Sequence, residues 1–150
     1  MTMAEPIAIR ELRDDECTWA AERYRAIRFA PTPPGSVALV AERGGARIGL
    51  GRLVEHAPGV VELGGIWTDD AERGGGVARA MVTALLARPE LAPGGSLGGG
   101  RLWCIPFAHL VAFYQSCGFA AAPPPWPPAI ADKVDECVAH ALPAVVVLAR

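Results

Sequence analysis

Hydrophobic positions along the chain follow two spacings, one typical of strands and one typical of helices. Short alternating or continuous apolar runs predict strands over residues 7–10, 37–41, 47–55, 60–68, 102–105 and 144–149. Apolar residues three or four positions apart predict helices over residues 14–29, 76–88, 106–117 and 129–141. The resulting order, β-α-β-β-β-α-β-α-α-β, predicts a mixed α/β fold.

Glycine and proline pairs indicate how the strands connect. Gly44-Gly45 predicts a type I′ hairpin turn, because both central residues of that turn need a positive φ angle. Pro58-Gly59 predicts a second tight turn, so the strands between residues 37 and 68 should form an antiparallel meander. Asp14 and Asp15 are the candidate caps of the first helix.

Composition and charge narrow the class of protein. A chain of 150 residues without an internal repeat is most simply one domain, residues 1–150. The net charge of −2 gives no basic excess for nucleic acid. Without a run of ~20 continuous apolar residues or a secretion signal, we expect no membrane partner and a cytoplasmic location. The cysteines are scattered without a C-x-x-C pair, which predicts free thiols and no metal site: Cys17, Cys104, Cys117 and Cys137.

The stretch from Val60 to Arg88 is the candidate functional segment. It reads as an apolar strand, an acidic loop, the three glycines Gly74, Gly75 and Gly76, and a helix. Glycines that open a helix leave its first N–H groups accessible, and these donors together with the helix dipole suit a phosphate. The segment therefore predicts a site for a phosphate-bearing ligand.

Two common phosphate motifs are absent from this segment. A G-x-x-x-x-G-K-[ST] loop does not occur, and a G-x-G-x-x-G fingerprint fails because Arg79 occupies the third glycine position. What remains is an R-x-x-G-x-A turn that runs from Arg73 to Ala78.

This turn resembles the coenzyme A pyrophosphate loop of the GCN5-related N-acetyltransferase (GNAT) superfamily, whose pattern is [QR]-x-x-G-x-[GA]. Downstream, the segment Phe113 to Phe119, FYQSCGF, resembles the second family signature, [LF]-Y-x-x-x-G-F. The two motifs lie in the family's order, and the resemblance extends over about residues 37–119. The chain departs from the pattern at Phe107, where many members have an asparagine.

The resemblance implies a fold and an activity. The fold would be a mixed, mostly antiparallel sheet of about six strands, flanked by helices and splayed at an acyl-CoA cleft. The activity would be transfer of an acetyl group from acetyl-CoA to a primary amine, by direct attack in a ternary complex. Neither a metal nor nucleic acid takes part, and a homodimer is common in the family.

The resemblance also assigns the cofactor contacts. Backbone N–H groups of the glycine turn would bind the pyrophosphate, and the end of the preceding strand would pair its backbone with the pantetheine arm. A backbone N–H near Ile66 or Trp67 would stabilise the oxyanion. The implied cofactor-binding residues are Ile66, Trp67, Thr68, Arg73, Gly74, Gly75, Gly76, Val77, Ala78 and Arg79.

Glu62 is the candidate general base. An amine attacks a thioester only when neutral, so a base must accept its proton. In the histone-acetylating branch of the family this strand position carries the catalytic glutamate. The alternative is that Glu62 is a solvated or salt-bridged strand residue. Glu55 and His56, at the end of the neighbouring strand, are weaker substitutes.

Tyr114 is the candidate general acid, since it occupies the family's usual position for protonating the departing thiolate. The alternative is a core aromatic residue whose hydroxyl finds a backbone partner. A covalent route through Cys104 or Cys117 would need a histidine at close range. His109 is not spaced for that role.

Other functions remain open at this level. A non-catalytic CoA-binding sensor or partner-binding module would share both motifs, as would an enzyme with another acyl donor or a hydroxyl acceptor. A nucleotide-binding module would take ATP or NAD in place of CoA. The acceptor is set in this fold by segments where the resemblance is weakest, Trp19 to Ser36 and Pro123 to Leu142.

Overall fold

The structure, a computed structural model, describes residues 5–150. Within that range the strands are β1 (Ala8–Glu11), β2 (Val37–Arg43), β3 (Ala46–Ala57), β4 (Val60–Thr68), β5 (Leu102–Cys104), β6 (Ala120–Ala121) and β7 (Leu148–Ala149). The helices are α1 (Cys17–Ala26), α2 (Val77–Leu86), α3 (Val111–Ser116) and α4 (Pro128–Ala139). A short 3₁₀ turn precedes each of α1, α2 and α3, and another follows α2.

The strands form one open, mixed sheet in the order β1-β2-β3-β4-β5-β7-β6. The pairing of β4 with β5 is parallel, whereas β1–β2, β2–β3, β5–β7 and β6–β7 are antiparallel. The predicted fold class, a mostly antiparallel sheet flanked by helices, is therefore confirmed. The sheet has seven strands and not about six, because the two residues of β6 are too short to give an alternating pattern.

The chain divides into two compact units. The first contains the residues up to Leu53 together with Gly65–Arg88, and the second contains Val54–Gly64 together with Pro89–Arg150. The expectation of one domain over residues 1–150 stays a prediction.

In the first unit the predicted hairpin turn is confirmed. Gly44 and Gly45 have φ angles of 59° and 78°, as a type I′ turn requires, and they join β2 to β3. The register of the two strands shifts between Ala41 and Glu42, which is a β-bulge.

Helix α2 packs closely on one face of β3. A Cβ atom at Gly49 would lie 2.6 Å from Cγ1 of Val77, and one at Gly51 would lie 2.6 Å from Cγ of Met81. Both distances are shorter than real contacts, so the glycines are what allow the helix to approach. The opposite face of β3 presents Leu50 to α1.

A buried carboxylate fixes the start of α1. Glu16 accepts hydrogen bonds from Nη1 and Nη2 of Arg10, at 2.7 and 2.9 Å, and from the backbone N–H of Arg13 at 3.0 Å. The prediction that Asp14 and Asp15 cap this helix is wrong, since neither side chain caps it and both are exposed. Periodicity cannot identify which of three adjacent acids turns inward.

The second unit has its own core. Strand β5 pairs with β7, and β7 with β6, while Trp103, Ile130 and Val147 pack together beneath them. The predicted strand over 144–149 is reduced to Leu148–Ala149, preceded by an isolated bridge between Val145 and Phe107.

We expect the substitution Glu16→Gln to lower the free energy of unfolding by roughly 1–3 kcal/mol at pH 7, because it removes charged hydrogen bonds that are buried. The hydrogen bond with Arg10 lowers the pKa of Glu16 to about 2, from an unfolded value of 4.5. Glu16 therefore contributes its full stability above pH ~4.5, and that contribution is lost as the pH falls towards ~2.

Urea denaturation of both proteins between pH 7 and pH 2 measures this difference. Glu22→Gln, at a half-exposed position on α1, is the matched control and should change the free energy by less than ~0.5 kcal/mol. A difference between wild type and Glu16→Gln that stays constant down to pH 2 would contradict the assigned role.

Candidate functional site

The glycine turn before α2 is exposed and lacks a side-chain cap. Gly74 and Gly76 have φ angles of 78° and 84°, and Gly76 is the N-cap residue of α2. No side chain forms a capping hydrogen bond there. The turn therefore has the backbone that its glycines predict, and the helix N-terminus is open to a ligand.

Two of the predicted donors are already used within the turn. The N–H of Arg73 donates to Asp70 at 3.4 Å, and the N–H of Gly75 donates to Glu72 at 3.2 Å. The first helical hydrogen bond runs from Ala80 to Gly76. The donors that precede it and have no acceptor within the turn are the N–H groups of Gly76, Val77 and Ala78.

Side chains of the acidic loop hold the turn in place. Asp69 accepts a hydrogen bond from the N–H of Ala71 at 3.2 Å, which starts the 3₁₀ turn Asp70–Glu72. Glu72 forms an ion pair with Arg43, on β2. The acidic residues therefore have structural partners, which the sequence did not indicate.

The end of β4 leads directly into this turn. Ile66, Trp67 and Thr68 are half-buried, and the N–H of Asp69 donates to the carbonyl of Ile48 at 2.9 Å. Gly65 has a φ angle of 60°, which is irregular for a strand. The cofactor roles of Ile66, Trp67 and Thr68 stay predictions.

Glu62 contacts His56, which was predicted above as a weaker candidate for the general base. Its Oε1 lies 2.7 Å from Nε2 of His56, and both side chains are mostly buried. Glu55 is exposed. Glu62 and His56 lie on either side of the turn at Pro58-Gly59, but no spacing rule in the sequence predicts that they pair. A carboxylate held against an imidazole can accept a proton and share it.

Tyr114 is buried among aromatic rings. It is 6% exposed, and its ring centroid lies 4.9 Å from that of Phe113 and 6.2 Å from that of Phe119. Burial raises the pKa of its phenol well above the ordinary value, with smaller contributions from Cys104, Cys117 and Glu62. Tyr114 is therefore a protonated phenol at neutral pH.

The cysteines are unpaired thiols, and burial disfavours the thiolate form of two of them. Burial raises the pKa of Cys104 far above its ordinary value, and burial also raises that of Cys137. A reactive cysteine needs a lowered pKa. Cys17, Cys104, Cys117 and Cys137 are all free. Within residues 5–150 there is also no group of three or more metal-ligating side chains.

The sequence model of the acetyltransferase (GNAT) family matches residues 7–119. The match covers most of the chain and includes the glycine turn and Tyr114. The chain therefore belongs to the acetyltransferase (GNAT) family. A comparison with curated protein sequences gave no match.

Solved structures of acyltransferases share the fold. N-acetylglutamate synthase from Neisseria gonorrhoeae aligns with a TM-score of 0.70 and 13% identity, over 97% of this chain and 33% of its own. The ribosomal-protein-S18-alanine N-acetyltransferase from Escherichia coli aligns with a TM-score of 0.66 and 16% identity, over 96% of this chain and 92% of its own. An acyl-CoA N-acyltransferase from Pseudomonas aeruginosa aligns with a TM-score of 0.64 and 20% identity, over 97% of this chain and 98% of its own.

The first two structures matched, both of the synthase, are longer proteins, and this chain spans about a third of their length. At these identities the likeness shows the fold. None of the helices among residues 5–150 has the length and apolar composition needed to cross a membrane.

We expect the folded protein to show no ionisation of tyrosine near pH ~10, where an exposed phenol titrates. Its two tyrosines are Tyr24 and Tyr114. Burial raises the pKa of Tyr24 to about 12, and that of Tyr114 higher still. The stability that these neutral rings contribute is complete below pH ~10 and is lost at higher pH, because the unfolded chain ionises first.

Tyrosinate absorbance during an alkaline titration measures the ionisation of the two tyrosines. The urea-unfolded protein is the reference and should show both phenols titrating near pH ~10. A step near pH 10 in the folded protein that vanishes in Tyr114→Phe would show that Tyr114 is not buried.

Proposed function

We propose that this protein is an N-acetyltransferase that transfers an acetyl group from acetyl-CoA to a primary amine. The observation that carries the proposal is the exposed, uncapped glycine turn from Arg73 to Ala78, at the start of α2, in a chain of the GNAT family. Its donors suit the pyrophosphate of coenzyme A. The synthase from Neisseria gonorrhoeae is described as complexed with coenzyme A, which supports the same donor here.

In this proposal the backbone binds the cofactor. The N–H groups of Gly76, Val77, Ala78 and Arg79 bind pyrophosphate oxygens, and glycine at 74 and 76 lets the ligand approach without a Cβ atom. Ile66, Trp67 and Thr68 pair with the pantetheine arm as an added strand would. An N–H near Ile66 or Trp67 stabilises the oxyanion.

The predicted splay beside β4 belongs to the same proposal. The parallel pairing of β4 with β5 joins Val61 to Leu102 and Glu62 to Trp103, and β5 is three residues long. A ladder this short supports a strand edge that a pantetheine amide can join.

Glu62 acts as the general base in this proposal. The contact with His56 supports the assignment, because it holds the carboxylate in one orientation and gives the accepted proton a second site. The alternative of a solvated strand residue is not supported, since the side chain of Glu62 is only 13% exposed. The alternative of a salt-bridged strand residue stays open, because the contact with His56 fits it as well.

Tyr114 acts as the general acid. Its hydroxyl is protonated over the whole physiological range because of burial. The same burial would also raise the proton affinity of a thiolate formed beside it. Within residues 5–150 no hydrogen bond from this hydroxyl is present, which leaves the donor available for the leaving group.

The reaction balances with these groups. The neutral amine nitrogen attacks the thioester carbonyl carbon, and a C–N bond forms as the C–S bond breaks. Glu62 accepts the proton that the amine loses, and Tyr114 gives its proton to the departing sulfur. Proton exchange with solvent restores both residues.

Calorimetry with CoA, ATP and NAD tests the ligand class. We expect CoA to bind and the two nucleotides not to compete with it. Gly76→Ala should weaken CoA binding, because alanine at a φ of 84° distorts the turn at a cost of about 1–2 kcal/mol.

Gly94→Ala is the matched control. Gly94 has a φ angle of 83° and open space around it, as Gly76 does, but lies in the loop after α2. It should lower stability similarly and leave CoA affinity unchanged. Failure of CoA to bind the wild-type protein would refute the proposed function.

Turnover of Glu62→Gln and Tyr114→Phe tests the chemical roles. With a competent amine, each substitution should lower kcat by roughly 10²-fold, since general acid–base groups contribute about that much or more. CoA affinity should not change. Free-thiol release measures turnover, and calorimetry measures affinity.

His56→Gln separates the base from its partner. It should reduce kcat less than Glu62→Gln and alter the pH profile of kcat. A protein that binds CoA but releases no thiol with any amine would be a CoA sensor and not a transferase. Equal turnover by wild type and both catalytic variants would also contradict the assigned roles.

A further inference from the structure

Arg52 is a buried cation without an acidic partner. It lies on β3 and is 7% exposed. Glu16 is the other charged residue of residues 5–150 that is buried, and it has ion pairs with Arg10 and Arg47. No carboxylate in the described part of the chain forms an ion pair with Arg52. A buried charge normally has a counter-charge, because desolvation is costly.

The neighbours of Arg52 contact its Nη1 nitrogen and one face of its guanidinium group. Its Nη1 donates to the carbonyl of Ala30 at 3.0 Å and to Oγ1 of Thr32 at 2.7 Å. Its guanidinium carbon lies 4.3 Å from the ring centroid of Tyr24. These contacts orient the group and are all neutral, so they leave its charge uncompensated.

The remaining edge of the guanidinium is the one that recognises carboxylates. Nε and Nη2 carry parallel N–H bonds that fit the two oxygens of a carboxylate. Neither nitrogen has a partner in the described part of the chain.

Glycine at position 65 leaves room for Arg52 and Tyr24 in these positions. A Cβ atom there would lie 2.7 Å from Nε of Arg52 and 2.9 Å from the hydroxyl of Tyr24. That hydroxyl donates to the carbonyl of Gly65 at 2.8 Å, which fixes the glycine in place. A side chain at position 65 would therefore clash with both Arg52 and Tyr24.

We propose that the Nε–Nη2 edge of Arg52 binds a carboxylate of the acceptor, so that the acceptor is a small amine that also carries a carboxylate. This inference rests on the proposed transferase function. It names the substrate class, which includes amino acids and short peptides with a free C-terminus.

The position of Arg52 fits the acceptor and not the donor. Gly65 immediately precedes Ile66, where the proposed function places the reacting thioester. The anionic pyrophosphate of CoA is assigned to the turn that begins α2, which packs on the Gly49 and Gly51 face of β3. Arg52 points to the other face, towards Tyr24 of α1. Its Nη1 partners belong to the loop between α1 and β2.

Matched acceptor pairs test the inference. Amino acids and dipeptides are compared with their C-terminal amides in the free-thiol assay, for wild type, Arg52→Met and Arg52→Lys. Wild type should prefer the acid of each pair by more than about tenfold in kcat/KM, as expected when a buried polar group loses its ligand partner. Arg52→Met should remove this preference by raising KM for the acids, with amides unaffected.

Two further variants keep the test independent of folding. Arg52→Lys retains the charge but not the two-pronged geometry, so it should give an intermediate KM for the acids. Arg101→Met, at an exposed position directly before β5, is the matched control and should behave as wild type. Thermal melting of each variant shows whether it is folded.

Two results would overturn the inference. One is equal use of acids and amides by the wild type. The other is an equal loss for acids and amides in both Arg52 variants, which would show that Arg52 only supports the loop at Ala30 and Thr32.

Calorimetric titration of the same acids into the CoA-bound protein separates this inference from the proposed function. Binding that depends on Arg52 without any thiol release would support the carboxylate site and refute the transferase. Turnover with affinity for acids unchanged in Arg52→Met would support the transferase and refute the site.

Discussion

The absence of side chains at Gly49 and Gly51 is the constraint on which the glycine turn depends. Helix α2 lies against the backbone of β3 because no Cβ atom stands between them. That approach sets where the helix begins, and so where the N–H groups after Gly76 are presented. The ion pair between Arg43 and Glu72 secures the loop from the other end. The part of the turn that is proposed to face the ligand is thus backbone, and it is held in place by Gly49, Gly51 and the Arg43–Glu72 ion pair.

Local signals in the sequence predicted the elements well. The bounds of β4 agree with the prediction, and the hairpin at Gly44-Gly45 has the expected positive φ angles, because turn chemistry and alternation are local properties. Strand β6 was not predicted, since two alanines carry no strand pattern. Long-range partners were also missed. The environment of Arg52 is made by residues 20 and 22 positions earlier in the chain, and no spacing rule connects them.

Tyr114 and Glu62, the candidate catalytic groups, differ in burial and in their side-chain partners. Tyr114 lies among aromatic rings that keep its phenol protonated, whereas Glu62 retains an imidazole partner and limited access to solvent. The motif around Tyr114 could be recognised from sequence because its residues are contiguous. Whether Glu62 would be paired depended on the direction of two side chains across a turn, which residue identity alone does not specify.

The contact between His56 and Glu62 joins residues that are close in the sequence. Six positions separate the two residues, so closing the loop between them costs little chain entropy. The contact can form as soon as the β3–β4 hairpin does, without help from distant parts of the chain. Both residues of the pair therefore belong to one hairpin. The contact between His56 and Glu62 is therefore a local property of the chain, whereas the environment of Arg52 is built by residues far apart in the sequence.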